Sequence, residues 1–162
     1  MHAVANKILV VDDSITILEL VAEALEPEGF VTLQALDGQD ALAKLAVHDD
    51  IALVMSDVNM PRMSGLELLA TARQRGFDVP FVMLTTEAHP DLVERARSMG
   101  VKGWLVKPVK ARTLTSTVKA LVQRSGSGSG RTPLPSAGER PSTASSAAEP
   151  STAGRPGRAH ST

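Results

Sequence analysis

The chain contains no cysteine and no tyrosine, a single tryptophan and three phenylalanines. Without cysteine there can be no disulfide and no thiolate metal site. No apolar run approaches the roughly 20 residues that a membrane helix needs. The N-terminus, Met1 to Lys7, lacks the basic region, apolar core and cleavage site of a signal peptide. These absences give the expectation of a soluble cytoplasmic protein. An excess of one charge is also lacking, because the formal net charge is −1 over 162 residues. Residues 1–124 hold 13 Lys/Arg against 16 Asp/Glu, and residues 125–162 hold 4 against 2. Neither part supplies the clustered positive face that nucleic acid requires, so neither nucleic acid nor membrane is an expected partner.

What is present is organised around Met55-Ser56-Asp57-Val58-Asn59-Met60-Pro61. Ile51 to Met55 is apolar at every position, which fits a strand covered on both faces. Asp57 then falls at the C-terminal lip of a central parallel strand, where open α/β sheets bind their ligands. Taken alone, an Asp there reads as a cap or turn residue.

Four further strands are legible. Lys7 to Val11 is short, apolar and β-branched, and it stops at Asp12-Asp13. Phe30 to Ala35 alternates in part and reads as nearer an edge. Pro80 to Thr85 and Gly103 to Val106 complete the set, the last running into Lys107-Pro108. Helices lie between them. Ser14 can cap a helix with Ile15, Leu18, Ala22 and Leu25 at helical spacing, ended by Pro27 and Gly29. Asp37-Gly38 precedes a short helix through Ala46. Ser64-Gly65-Leu66-Glu67 matches a capping box, and Pro90 suits the first turn of a fourth helix. A last helix starts near Ala111. Alternation of five strands and five helices with short connections predicts a doubly wound, five-stranded parallel α/β sheet over residues 1–124. Residues 125–162 open with Ser-Gly repeats and continue in Pro, Ala, Ser and Thr. That composition cannot repay the entropy of ordering, so a disordered tail is expected there.

Four strand ends carry chemistry: Asp12-Asp13, Asp57, Thr85 and Lys107. Parallel strands all point one way, so these residues can share one rim. Crowded carboxylates repel unless a cation joins them, and magnesium suits all-oxygen ligation beside a phosphate. A lysine and a hydroxyl nearby then have an evident use on a phosphoryl group.

The motifs Leu9-Val10-Val11-Asp12-Asp13-Ser14, Ser56 to Pro61 with Ser64 to Leu69, Val82-Met83-Leu84-Thr85 and Gly103 to Pro108 span the body. With them the chain resembles the receiver domain of bacterial two-component response regulators, and among these the single-domain chemotaxis regulators of the CheY type. The resemblance implies a flavodoxin-like fold with strand order 2-1-3-4-5. It implies phosphoacceptance at Asp57 from a sensor histidine kinase or phosphotransfer protein. It also implies Mg²⁺ held by Asp12, Asp13, Asp57 and the backbone carbonyl of Asn59. Thr85 and Lys107 match the residues that engage the phosphoryl group, Trp104 the aromatic switch position, and Pro108 a proline following the lysine through a cis bond. In place of the usual Tyr or Phe, Trp104 brings a bulkier ring without a phenolic hydroxyl. An output protein is expected at the face made by residues 91–122, with residues 64–75 on the opposite face. The resemblance implies a signalling protein, not an enzyme, that acts by non-covalent contact, with chemotaxis among the processes implied.

Two other classes compete. An aspartate-nucleophile phosphatase of the haloacid-dehalogenase type needs a second Asp two residues after the nucleophile as general acid. Asn59 stands there, and an amide cannot do that work. A pseudo-receiver that only binds proteins would have no use for Asp12, Asp13, Asp57, Thr85 and Lys107 together.

Overall fold

Residues 6–126 are described by the computed structural model of the protein. The strands are β1 (Lys7–Val11), β2 (Val31–Ala35), β3 (Ile51–Ser56), β4 (Phe81–Thr85) and β5 (Gly103–Val106). The helices are α1 (Ile15–Leu25), α2 (Gly38–Val47), α3 (Gly65–Gln74), α4 (Pro90–Ser98) and α5 (Ala111–Gly126), with a 3-10 turn at Glu26–Glu28. All strand pairs are parallel and the sheet order is β2-β1-β3-β4-β5, the flavodoxin-like order that the resemblance implied. β2 is indeed an edge strand. The part of the expected tail beyond residue 126, and residues 1–5, lie outside the described residues. α5 itself continues to Gly126, past the expected boundary at 124.

Each inner strand is buried on both faces, which is why its sequence reads as unbroken apolar residues. Leu9, Val11, Val54, Phe81 and Met83 meet the layer built by α2, α3 and α4. Ile8, Val10, Leu53, Met55, Val82 and Leu84 meet α1 and α5. This corrects one expectation. Residues 64–75 share a layer with α4, and it is α5 that lies across the sheet. The face expected from 91–122 therefore wraps around the β5 edge.

Local chemistry sets the element ends. Ser14 Oγ accepts from the Ile17 N–H at 3.3 Å, and α1 buries Leu18, Val21, Ala22 and Leu25. Ile15 is not on that stripe and is 59% exposed. Gly29 closes the turn with φ 98°, a conformation glycine adopts without a Cβ penalty. The Phe30 N–H is taken by Leu25 O at 3.3 Å, so β2 starts one residue later than its apolar run suggests. The capping box of α3 is complete, with Ser64 and Glu67 each bonding the other's backbone N–H. Pro90 opens α4, as predicted.

Candidate functional site

The inner strands bring their C-terminal ends to one rim. The sheet ladder extends just past them, with the Asp57 N–H on Val11 O at 3.0 Å and the Asp12 N–H on Ala35 O at 3.1 Å. The Lys107 N–H similarly bonds Thr85 O at 2.9 Å. These bonds align Asp12, Asp57 and Lys107 because each follows its strand directly, and Asp13 comes next after Asp12. One carboxylate oxygen from each of Asp12, Asp13 and Asp57 lies within 4.8 Å of the others. Asp12 and Asp57 are buried, while Asp13 is exposed. Lys107 Nζ bridges the cluster, 2.8 Å from Asp12 Oδ2 and 3.2 Å from Asp57 Oδ2.

One ammonium thus faces three carboxylates. Burial pushes the Asp12 carboxyl above its usual 3.8, and the nearby Asp57 charge adds to this. The bonds from Lys107 and the Ser14 N–H oppose the shift without cancelling it. For Lys107 burial acts downward, but Asp12 and Asp57 outweigh it and hold the ammonium above 10.5. Asp12 is shifted chiefly by burial and Lys107, against burial, by its two carboxylate partners, and the three carboxylates outnumber the one ammonium between them. The donors of the site are all oxygen, which fits a hard divalent ion.

Around this centre several polar groups are paired. Ser56 Oγ is fully buried and donates to Asp57 O at 2.8 Å. The Asn59 N–H donates to Asp57 Oδ1 at 3.2 Å. Thr85 is fully buried, and its Oγ1 accepts from the Glu87 N–H at 3.2 Å. Gly65 packs so closely that a Cβ there would run into the Asp57 carbonyl. The peptide bond between Lys107 and Pro108 is cis, in keeping with the resemblance.

Glu87 was not singled out from the sequence, yet it links three of the predicted residues. Besides its N–H on Thr85, its Oε2 accepts from Asn59 Nδ2 at 3.2 Å, and its carbonyl accepts from the Trp104 indole N–H at 2.9 Å. The only sequence signal was its place two residues after Thr85. Trp104 is half-buried against the layer that holds α4. The lack of a phenolic hydroxyl therefore does not leave it without a polar tie, because the indole N–H supplies one.

A profile of the response regulator receiver domain matches residues 8–119. The chain belongs to this family. This receiver is 37% identical over 120 residues to the transcriptional regulatory protein CpxR of Klebsiella pneumoniae, over 74% of this chain and 50% of that protein. CpxR of Escherichia coli gives the same identity and coverage. The receiver thus spans about half the length of these curated relatives. Chemotaxis protein CheY4 of Vibrio cholerae is 40% identical, with a TM-score of 0.67 over 74% of this chain and 99% of that one. A CheY-like receiver domain protein from Methanospirillum hungatei is 29% identical, with a TM-score of 0.70 over 76% and 99%. Among the described residues, no helix of the receiver is long and apolar enough to cross a membrane.

Proposed function

We propose that this receiver takes a phosphoryl group on Asp57 from the phosphohistidine of a sensor kinase or phosphotransfer protein, with Mg²⁺ bound at Asp12, Asp13, Asp57 and the Asn59 carbonyl. The observation that carries this reading is the bridged carboxylate cluster, three acids and one ammonium at the open rim of the sheet. An Asp57 carboxylate oxygen forms the new bond to phosphorus, the P–N bond breaks, and the imidazole leaves with its proton. Lys107 already sits against Asp57 and pairs with an equatorial oxygen of the arriving group. The Thr85 hydroxyl donates to another, for which it must rotate within its buried site. Bound Mg²⁺ would supply charge neutralisation on the transferring oxygens. Asn59 and Glu87 bond each other across the β3–α3 and β4–α4 loops beside the acceptor.

The output in this reading is a change of surface near α4 and β5 that a separate cytoplasmic protein recognises. The likeness to CheY4 over nearly all of that chemotaxis protein supports signalling by non-covalent contact, with chemotaxis as one candidate process. The division between the body and the Ser/Gly-rich tail belongs to the same proposal, placed after α5 and not at the expected 124/125. The site is that of a phosphoacceptor that assists its own transfer and hydrolysis.

Incubation with Mg²⁺ and acetyl phosphate, followed by intact mass, tests the assignment. A gain of one phosphate is expected, absent in Asp57→Ala and absent with EDTA. A gain that survives either change would sink it.

A further inference from the structure

The β3–α3 loop is tied down on a side of the rim remote from Lys107. Arg62 stands at φ 70°, in the left-handed region that L-residues seldom occupy. Its guanidinium reaches Asp37 Oδ2 at 3.0 Å, in the connection between β2 and α2. Asp37 is itself fixed, because its Oδ1 accepts from the Asp40 N–H at 2.8 Å and caps α2. The next residue of each segment repeats the contact: Met63 lies against Gly38 so closely that a Cβ on Gly38 would run into the Met63 sulfur. The backbone on either side of Arg62 is restrained. Pro61 fixes its own φ, and the Met63 N–H closes on Pro61 O at 2.7 Å.

We propose that the Asp37–Arg62 pair, seated on the Met63–Gly38 contact, is a positioning clasp that sets the β3–α3 loop and thereby the divalent-ion affinity of the site. The inference rests on the reading of that site as metal-binding and names what regulates it. The loop carries the Asn59 carbonyl between Asp57 and Arg62. The span from Asn59 to Arg62 is four residues long and includes Pro61, so a displacement at Arg62 would reach that carbonyl. The strained backbone at Arg62 persists because the guanidinium has a partner that the α2 cap holds still. Asp37 and Arg62 are not ligands and act only through the loop.

The test counts Mn²⁺, an oxygen-ligated stand-in for Mg²⁺, on the full chain by the loss of its free-ion EPR signal. Arg62→Gly removes the guanidinium and suits the backbone. Asp37→Asn removes the charge while its amide oxygen can still cap α2. Each should weaken Mn²⁺ binding about 2–5-fold, the range an exposed pair supplies. The double variant should be no weaker than either single one. Arg62→Lys should keep most of the affinity, and in about 1 M salt, where screening reaches ~3 Å, the difference from wild type should close. Binding by both single variants equal to wild type would overturn the clasp while leaving the site intact. Additive losses in the double variant would also overturn it. A wild type that binds no Mn²⁺ would overturn the clasp and the metal site together.

Discussion

At the scale of single residues, Lys107 decides the character of the site. Its side chain is 14% exposed, and it spans Asp12 and Asp57, whose side chains are 3% and 11% exposed. Removing one partner of such a pair leaves uncompensated buried charge, which costs about 3–5 kcal/mol. Lys107→Met should therefore destabilise the metal-free protein by about 3 kcal/mol, with Mg²⁺ recovering most of the loss. Metal affinity should not fall, since an ammonium is no ligand and its departure removes a competing positive charge. Denaturant unfolding with and without Mg²⁺ measures both effects. A loss of metal affinity as large as that of Asp13→Ala would show that Lys107 holds the carboxylates together. The pH dependence has a definite sign. The Lys107 pKa is raised on folding, so its contribution is complete below 10.5 and is lost as pH rises through the higher folded value. The gap between wild type and variant should be flat from pH 7 to 10 and narrow only above that. Asp37 behaves in the opposite sense, because the Asp40 N–H and then Arg62 hold its carboxyl below 3.8. Its contribution is present above 3.8 and is lost as pH falls through the folded value. Asp37→Ala should then differ from wild type near neutral pH and converge with it in acid.

At the scale of elements, the start of α3 and the end of β3 are one unit. The Gly65 N–H bonds Val58 O at 2.8 Å, and Gly65 itself lies against the Asp57 carbonyl. Gly65→Ala must move the helix or that carbonyl, and overpacking of this kind costs about 1–3 kcal/mol. Labelling by acetyl phosphate should fall with it. Ser64→Ala removes only a cap, about 1 kcal/mol, and should leave labelling close to wild type. Equal labelling in both variants would show that the Gly65 contact is structural alone. The same contrast explains what could be read from the sequence. The capping box was legible because Ser64 and Glu67 are three residues apart, and β3 was legible because burial on both faces leaves an unbroken apolar run. Asp12, Asp13, Asp57 and Lys107 were legible as a group because each follows a strand and parallel strands align their ends. The Asp37–Arg62 and Asn59–Glu87 bonds were not, since they join loops 25 and 28 residues apart whose paths no periodicity fixes. The layer to which α3 belongs is not legible in the sequence for a related reason. An apolar stripe says that a helix is covered, not on which side of the sheet. Ile15 looked like core by its spacing, but the cap at Ser14 turns the first residue of α1 outward.

For the molecule as a whole, the question is how an event at Asp57 reaches the β5 edge. Under the proposed phosphorylation of Asp57, two consequences would converge on Glu87. A group of about −2 charge would arrive beside the Asn59–Glu87 bond, and rotation of the Thr85 hydroxyl to donate to its oxygens would draw Oγ1 away from the Glu87 N–H that it accepts from. Both act on a segment whose carbonyl holds the Trp104 indole N–H and which leads directly into α4 at Pro90. α3 shares that layer but is anchored at its own N-terminus by the capping box, so a shared layer does not imply a shared response. The beryllofluoride adduct should therefore shift amide resonances from Thr85 through Val106, and the Trp104 indole resonance with them. Gln39 to Ala46, at the other end of the layer, should stay nearly silent. Trp104→Phe keeps an aromatic ring and removes the N–H. If the indole bond is the link, this variant should still respond around Asp57 and Thr85 while residues 103–106 fall silent. A response at β5 undiminished in Trp104→Phe would mean that movement of the 86–89 backbone, and not the ring, carries the signal to the edge.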